Sequence, residues 1–187
     1  DRIEAGTYII LGALVGKDLC IKNIIPKHLE ALTSKLKDMA SDITINEDNI
    51  VISKVDNLKP TNIKTLVYPG FPTDIGQPMS VLLTQAKGTS LFEETIWENR
   101  MGHVPSLNKM GANITVKGMS SMVIGPSKLH GCEVVATDLR GGAALVLAGL
   151  TAEGTTIIND VEHILRGYEN IDKKLRSVGA KIEIKEI

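Results

Sequence analysis

The amino-acid sequence predicts an α/β (α+β) fold in which one structural unit is repeated three times around a pseudo-threefold axis. The first observation is a set of three apolar runs, Thr7–Val15, Met79–Ala86 and Ala143–Ala152. A helix that is apolar on all sides has to be enclosed by the rest of the molecule. The second observation is a motif of Met or Val, two small residues, any residue, Ile, any residue, and Val or Ile. It occurs at Met39–Ile45, Met110–Val116 and Val178–Ile184.

The repeats predict a specific arrangement of the chain. One unit alone cannot bury its apolar helix, so we expect the three apolar helices to pack at the centre with the sheets outside them. The repeats span roughly 1–55, 64–125 and 133–187 of a single domain, 1–187. An aspartate precedes each apolar run, at Asp1, Asp74 and Asp138. If the helices are parallel, their N-terminal ends bring these aspartates together, and any chemistry is expected there.

The first repeat is predicted to begin with a core helix, Asp1–Val15, followed by a strand, Leu19–Asn23. Apolar residues at helical spacing predict an amphipathic helix over Pro26–Met39. Two short strands, Ile43–Ile45 and Ile50–Ile52, are expected to pair across the turn-forming residues between them.

The second repeat is predicted to begin with a strand, Lys64–Val67, and a loop, Tyr68–Asp74, whose two prolines and glycine deliver Asp74 to the second core helix. Pro78 is tolerable in the first turn of that helix. The remaining elements are predicted to be a strand at Ser90–Glu94, a loop at Thr95–Pro105, a helix at Ser106–Met110, and strands around Ile114–Val116 and Met122–Ile124.

The third repeat is predicted to contain strands at Glu133–Ala136 and Thr155–Asn159 on either side of its core helix. Helical spacing of apolar residues predicts an amphipathic helix over Tyr168–Val178, which Gly179 ends. The alternating residues Lys181–Ile184 predict a half-buried strand.

Composition limits the possible functions. A chain of 187 residues suits one domain with a substantial core. A net charge of −1 and only one Trp, three Tyr and two Phe indicate neither a nucleic-acid footprint nor a stacking platform for bases. No signal peptide is evident, and no apolar segment reaches the ~20 residues that a membrane span needs. We therefore expect no nucleic-acid and no membrane partner. Because the sequence starts at Asp1 without a lead-in to its first helix, we expect a domain of a longer protein.

Cysteine and histidine placement suggests no metal or cofactor. Cys20 and Cys132 lie in apolar strand contexts, and we expect two reduced, buried thiols rather than a disulfide or a metal site. The four histidines lack metal-ligand spacing. No phosphate-binding glycine motif of the Rossmann or P-loop type is present.

Charged residues beside the core helices are the candidate functional groups. Asp74 and Asp138 could each cap a helix or act as a general base, and one residue can do both; for Asp74 we favour the cap. Arg140 lies near the positive end of a core helix, where a cation is unfavourable unless an anion joins it. Arg166 could bind an anion or be solvated, and Trp97 could contact a ligand or anchor its loop on the core. The residues alone predict an anion-binding surface at converging helix N-termini.

The sequence resembles the enolpyruvyl transferases over essentially its whole length. The segments that carry this resemblance are DRIEAGTY at Asp1–Tyr8, PGFPTD at Pro69–Asp74, ETIWENRMGHVPSLNKMGA at Glu94–Ala112, ATDLRGGAALVLAGL at Ala136–Leu150 and RGYENIDKKLRSVGA at Arg166–Ala180. Members of that family have two domains, each built from three βαβαββ-like units with helices buried inside the sheets. That architecture agrees with the threefold repeat.

The resemblance implies an activity and site residues. It is to the branch that transfers enolpyruvyl from phosphoenolpyruvate to the 3′-hydroxyl of UDP-N-acetylglucosamine and releases phosphate, in the bacterial cytoplasm, as the first committed step of peptidoglycan synthesis. Asp74 would contact the 3′-hydroxyl as the proposed base, Asp138 would lie beside the reacting centre, and Arg140 and Arg166 would bind phosphoenolpyruvate. The implied catalytic set is Asp74, Asp138 and Arg166; the implied substrate-binding set is Asp74, Ile96, Trp97, Arg100, Arg140 and Arg166. Ile96 matches a backbone contact, and Trp97 replaces a common Phe.

Part of the family's active site has no counterpart in the sequence. The loop with the reactive cysteine, a Lys-Asn pair and the uridine-binding residues belong to the other domain, and neither Cys20 nor Cys132 matches that cysteine. We therefore expect half an active site, which shares both substrates with the missing domain and has little or no turnover alone. The alternatives are the sister family that acts on shikimate 3-phosphate, against which PGFPTD, ENR and RGYE argue, and a purely structural or partner-binding repeat domain.

Overall fold

The structure, a computed structural model that describes residues 1–185, has three apolar helices surrounded by three sheets. The first repeat comprises α1 (Arg2–Val15), β1 (Leu19–Lys22), a 3-10 turn (Pro26–Leu29), α2 (Glu30–Asp38), β2 (Asp42–Ile45) and β3 (Asn49–Ser53). The second comprises β4 (Ile63–Lys64), a 3-10 turn (Thr73–Ile75), α3 (Gly76–Leu83), β5 (Gly88–Glu93), α4 (Val104–Lys109), β6 (Asn113–Lys117) and β7 (Ser120–Gly125). The third comprises β8 (Glu133–Val135), α5 (Leu139–Thr151), β9 (Ile157–Asn159), α6 (Glu162–Leu165) and α7 (Ile171–Ser177).

The three sheets share parts of one topology. The first has the order β1-β3-β2, with both pairs antiparallel. The second has the order β4-β5-β7-β6, in which β4 is parallel to β5 and the other pairs are antiparallel. The third, within the part of the chain that the structure describes, consists of the parallel pair β8-β9. The second repeat is therefore a complete βαβαββ unit, and the predicted fold class is confirmed.

The three core helices α1, α3 and α5 pack on one another at the centre, and their inner faces are apolar and buried. Val15 and Gly16 at the end of α1 line the same groove as Gly149 and Leu150 near the end of α5. At the opposite end, Asp74 just before α3 forms an ion pair with a residue in the first turn of α5. The helices thus run in the same direction, the arrangement in which their N-terminal ends lie at one end of the domain.

Helix boundaries follow from local signals in the sequence. Asp1 and Asp138 cap α1 and α5, because each side chain accepts hydrogen bonds from backbone N–H groups of the first turn. The helix predicted over Pro26–Met39 is present as the 3-10 turn and α2. Gly179, with φ +94°, follows α7 and supplies the left-handed conformation that ends a helix.

The predicted strand at Lys181–Ile184 is absent from the structure. In the first two sheets, the equivalent strands β2 and β6 each pair with the strand that follows them. Within residues 1–185, no strand pairs with residues 181–184. A groove of about 750 Å³ lies between residues 155–159 and 181–185, where the strand equivalent to β3 and β7 would lie.

Three smaller predictions were also wrong. The strand predicted at Lys64–Val67 ends at Lys64, since the chain turns at Val67, where the N–H of Gly70 donates to the Val67 carbonyl. The helix predicted to begin at Tyr168 begins at Ile171, and the short helix α6 precedes it. Cys20 is exposed rather than buried, because the alternation of side chains along β1 places it on the outer face with Lys22, and Cys132, also predicted to be buried, is half-buried.

Candidate functional site

The candidate site is built around Asp74, whose carboxylate lies between two arginines. Arg100 Nη2 is 3.1 Å from Asp74 Oδ1, and Arg140 Nη2 is 3.5 Å from Asp74 Oδ2. The side chains are half-buried, with exposed fractions of 36% for Asp74, 22% for Arg100 and 16% for Arg140. One carboxylate cannot balance the two guanidinium groups that it contacts, whereas the positive N-terminal end of α5 is already capped by the Asp138 carboxylate. The arrangement therefore favours the approach of an anion.

The local chain geometry presents Asp74 to these arginines. Asp74 is the middle residue of the 3-10 turn Thr73–Ile75, which leads directly into α3. Neither that turn nor α3 is capped by a side chain, and Pro72 occupies the N-cap position of the turn. The cap that we favoured for Asp74 from the sequence is therefore wrong. Its oxygens face Arg100 and Arg140 instead.

Asp138 and Arg140 open the core helix of the third repeat. Asp138 Oδ1 accepts hydrogen bonds from the backbone N–H groups of Arg140 (2.9 Å) and Gly141 (2.8 Å). Of the two roles considered for Asp138, that of a helix cap is therefore confirmed. Capping fixes the first turn of α5, from which Arg140 reaches Asp74. Arg140 lies near the start of a core helix, where a cation needs an anion beside it, and the Asp74 carboxylate is that anion.

The guanidinium of Arg140 is also held by Tyr168, which is 1% exposed. It lies 5.7 Å from the centre of the Tyr168 ring, and its Nη1 is 3.4 Å from the hydroxyl oxygen. The Tyr168 hydroxyl is 2.8 Å from Thr7 Oγ1, and Thr7 donates its own proton to the carbonyl of Ile3. The Tyr168 hydroxyl is therefore the donor to Thr7 and an acceptor for Arg140. This chain of contacts links α1 to the site.

The loop after β5 carries Ile96, Trp97 and Arg100. Trp97 is 56% exposed, so it does not anchor the loop on the core. The Arg100 guanidinium lies 5.9 Å from the Trp97 ring centre, within reach of a cation–π interaction. Ile96 is exposed, and its backbone N–H donates to Glu94. The backbone group that Ile96 can offer to a ligand is thus its carbonyl oxygen.

Glu94 is the residue of the site whose role sequence reasoning missed. Its carboxylate is 2% exposed and accepts hydrogen bonds from side chains and backbone groups of two separate loops. A signal for it exists in the sequence: Ser90, Phe92 and Glu94 are two residues apart, so they share the inner face of the chain along β5. A carboxylate on a buried strand face needs a specific set of donors.

Two predicted residues lie apart from the Asp74 centre. Arg166 is exposed at the end of α6, where its Nη2 lies 2.9 Å from Nδ1 of His163. Asp1 caps α1, and Arg2 of the same helix lies over Tyr68, in the loop that leads to Asp74, with 4.9 Å between the guanidinium carbon and the ring centre. The N-terminal half of α1 therefore also contacts the second repeat near the site.

A buried histidine lies behind the site. His103 is 2% exposed, and its Nε2 is 2.8 Å from Oγ of Ser80 in α3. Ser80 donates its proton to the Gln77 carbonyl, so His103 carries a hydrogen on Nε2 and donates it. Burial lowers the pKa of His103 to about 4, against the opposing effects of the Asp138 carboxylate and the Arg100 backbone. His103 is neutral at physiological pH.

The described part of the chain offers no metal-binding group of three or more His, Cys, Asp or Glu side chains. Among the same residues, no helix is long and apolar enough to cross a membrane.

Sequence relatives support the resemblance found in the motifs. The chain is 56% identical, over 97% of its length, to UDP-N-acetylglucosamine 1-carboxyvinyltransferase from Clostridium botulinum, and covers 44% of that protein. It is 52% identical over 97% of its length to UDP-N-acetylglucosamine 1-carboxyvinyltransferase 2 from Bacillus subtilis, of which it covers 43%. The chain therefore spans less than half the length of these curated relatives.

Solved structures share the fold. The enolpyruvyl transferase NikO from Streptomyces tendae aligns over 97% of this chain and 43% of its own, with a TM-score of 0.90 and 28% identity. EPSP synthase from Acinetobacter baumannii aligns over the whole chain and 47% of its own, with a TM-score of 0.81; at 19% identity this likeness shows the fold alone. The family described as EPSP synthase (3-phosphoshikimate 1-carboxyvinyltransferase) matches residues 1–175. The chain therefore belongs to the EPSP synthase family of enolpyruvyl transferases.

Proposed function

We propose that this chain is one domain of a two-domain bacterial enzyme that transfers enolpyruvyl from phosphoenolpyruvate to the 3′-hydroxyl of UDP-N-acetylglucosamine and releases phosphate. The observation that carries the proposal is the half-buried Asp74 carboxylate between Arg100 and Arg140 at the N-terminal ends of two core helices. A carboxylate beside two guanidinium groups can accept a hydroxyl proton while the cations bind a phosphate or carboxylate. The relatives at 50–56% identity carry the name of this activity.

Each site residue has a proposed role. Asp74 binds the 3′-hydroxyl and takes its proton, and Arg140 binds phosphoenolpyruvate. Asp138 keeps the first turn of α5 in place beside the reacting centre. Arg166 binds the second anionic group of phosphoenolpyruvate, and its present contact with His163 is then replaced by a contact with that group.

The sugar nucleotide is proposed to lie along the loop that follows β5. Ile96 offers its carbonyl oxygen, because its N–H is already bonded to Glu94. Trp97 and Arg100 form an exposed aromatic and cationic edge on which a sugar ring can pack. The other domain supplies the reactive cysteine and the uridine contacts, so the isolated chain has little or no turnover. The reaction belongs to the cytoplasm, where its product enters peptidoglycan synthesis and thus cell-wall growth and division.

The sister activity on shikimate 3-phosphate is the second candidate, since the matching family carries that name. The first reading is favoured by the 56% identity to a UDP-N-acetylglucosamine enzyme, against 19% to an EPSP synthase of solved structure.

The test measures phosphate release by the full-length protein with phosphoenolpyruvate and each acceptor in turn. We expect turnover with UDP-N-acetylglucosamine alone, and a loss of about 10²–10⁴ in kcat for Asp74→Asn, as for removal of a general base. Asp18→Asn is the matched control, because Asp18 lies at the opposite end of α1 in a left-handed conformation that Asn also tolerates. Turnover with shikimate 3-phosphate would assign the sister activity, and no turnover with either acceptor would refute both.

A further inference from the structure

Glu94 connects the two loops that form the candidate site. Oε1 accepts hydrogen bonds from Thr65 Oγ1 (2.8 Å), the N–H of Ile96 (2.8 Å) and the N–H of Trp97 (3.2 Å). Oε2 accepts a hydrogen bond from Thr73 Oγ1 (2.7 Å). Thr73 is next to Asp74 in the chain. One carboxylate thus holds the loop that carries Asp74 and the loop that carries Arg100.

The carboxylate remains ionised in this position. Its burial opposes ionisation, but hydrogen bonds from Thr73, the Ile96 N–H, Thr65 and the Trp97 N–H outweigh that effect and lower the pKa of Glu94 below its usual value. A buried charge is expensive even when it is satisfied, and well-packed apolar residues often replace such groups without loss of stability. Stability alone is therefore a poor reason for a carboxylate at this point in the strand.

A shared threonine strengthens the connection. Thr65 Oγ1 donates to Glu94 and accepts the N–H of Thr95 at 2.8 Å. The Thr95 hydroxyl in turn donates to the Thr65 carbonyl. The start of the loop with Ile96 and Trp97 is consequently fixed to the end of β4 as well as to Glu94. The Asp74 loop is attached to this network through the Thr73 hydroxyl.

From these contacts we propose that Glu94 is a positioning residue, which sets the placement of Asp74 relative to Ile96 and Arg100 without touching substrate. The inference rests on the proposed function for its kinetic consequence, but the loop placement itself is independent of which acceptor the enzyme uses. A proton acceptor and an anion-binding group have to be held close to their productive geometry, since a displacement of about 1 Å can cost roughly 10² in rate. Glu94 provides that constraint from inside the molecule.

Substitutions can separate the connection from general packing. Glu94→Gln keeps the shape but removes the negative charge, so the hydrogen bonds from Thr65, Ile96 and Trp97 lose their ionised acceptor and weaken. At the other oxygen position, the amide NH₂ can no longer accept from the Thr73 hydroxyl. Glu94→Asp keeps the charge but is one methylene too short to reach both loops. Thr73→Val breaks only the link to the Asp74 loop and leaves the Ile96 and Trp97 links intact. Thr73→Ser restores a hydroxyl at that position.

The adjacent residue supplies a matched control. Glu93 lies on the outer face of β5, and its side chain is 40% exposed in an ion pair with Lys64. Glu93→Gln removes the same charge one position away without touching either loop.

The experiment combines kinetics and amide hydrogen exchange on the full-length protein. We expect Glu94→Gln and Glu94→Asp to lower kcat at least about tenfold, with a smaller change in KM. Thr73→Val should lower kcat similarly and add little to Glu94→Gln, because both cut the same connection. Thr73→Ser should recover most of the loss, and Glu93→Gln should match the wild type. Exchange at the Ile96 and Trp97 amides should rise in Glu94→Gln and stay unchanged in Glu93→Gln.

The two measurements distinguish failure of the inference from failure of the proposed function. Wild-type kcat in Glu94→Gln, or an effect of Thr73→Val that is fully additive with it, would overturn the positioning role. If the wild-type protein turns over neither acceptor, the proposed function fails, and the exchange data alone decide the inference. Unchanged exchange at Ile96 and Trp97 in Glu94→Gln would then overturn it, whereas faster exchange there would support Glu94 as the residue that positions this loop.

Discussion

Asp74 and Arg140 form an ion pair that joins the second repeat to the third, with Oδ2 and Nη2 separated by 3.5 Å. The two residues are 66 positions apart in the sequence (140 minus 74). Each is placed by the start of a core helix: Asp74 by the 3-10 turn before α3, and Arg140 by the first turn of α5. The site therefore forms only when these helices pack in parallel. The threefold repeat that buries the helices also creates the charged centre.

The planar guanidinium geometry of Arg140 should matter as much as its charge. In Arg140→Lys, an ammonium group cannot contact Asp74 and stack on Tyr168 at once, so it loses geometry that the guanidinium provides. We expect kcat/KM of the full-length protein to fall by roughly 10–10², equivalent to about 1–3 kcal/mol. Arg176→Lys is the control, since Arg176 is half-exposed and pairs with Asp172 within α7, without contacting Asp74. Steady-state kinetics that are equal for Arg140→Lys and the wild type would contradict a role for the guanidinium geometry.

Removal of the Tyr168 hydroxyl should destabilise the chain. Tyr168→Phe breaks the buried hydrogen bond to Thr7 and leaves one acceptor fewer for Arg140. We expect a loss of about 1 kcal/mol in the free energy of unfolding, measured by urea denaturation of the 187-residue chain. Tyr68→Phe should be nearly neutral, because Tyr68 is 56% exposed and retains its ring beneath Arg2. Equal losses in the two variants would mean that the Tyr168 hydroxyl adds nothing beyond that of an exposed tyrosine.

The sequence was sufficient to predict the repeated fold because the relevant signals are local. Three apolar runs, a repeated helix-strand junction and turn-forming residues each act over about ten residues, and the structure confirms most of the elements they predict. The strand predicted after α7 failed for a non-local reason. Lys181–Ile184 alternates like a strand, yet an isolated strand has no hydrogen-bonding partner and does not form a ladder.

The site was only partly predictable for the same reason. The demand of Arg140 for an anion could be predicted from its helix position, but the identity of that anion depends on packing between two repeats. Asp74 was assigned a cap from its place before a helix, whereas two distant arginines determine its orientation. The role of Glu94 could not be predicted from the sequence, because it depends on two loops that meet at its carboxylate. Burial of His103 likewise depends on α3 and was not predicted from the sequence.

His103 should make stability dependent on pH in the weakly acidic range. Its pKa is about 4 in the folded chain and about 6.5 when unfolded, so the unfolded state binds more protons between these values. Stability should therefore fall as pH decreases from about 6.5 to about 4, by up to about 1.4 kcal/mol per pH unit. Urea midpoints of the 187-residue chain at several pH values measure this slope.

Two histidine variants isolate that effect. His103→Gln keeps a donor for Ser80 but does not titrate, so its slope between pH 6.5 and 5 should be shallower than that of the wild type. His130→Gln, at an exposed position, should retain the wild-type slope. If His103→Gln and the wild type share one slope, the buried imidazole does not control the pH dependence.

The contact between α1 and β3 should tolerate no added methyl group at Gly12. A Cβ atom there would lie 2.2 Å from Cγ2 of Ile52, although Gly12 is in the interior of a helix where alanine is intrinsically favoured. The clash should outweigh the gain in helix propensity, so Gly12→Ala is expected to lower the free energy of unfolding by about 1–3 kcal/mol.

Gly102→Ala should be nearly neutral, because the nearest atom to its Cβ, Thr137 Oγ1, is 3.6 Å away. Adding Ile52→Leu to Gly12→Ala should recover part of the loss, since leucine has no methyl branch at Cβ. Urea denaturation of the four chains measures these differences; a Gly12→Ala chain as stable as the wild type would mean that α1 and β3 can move apart at no cost.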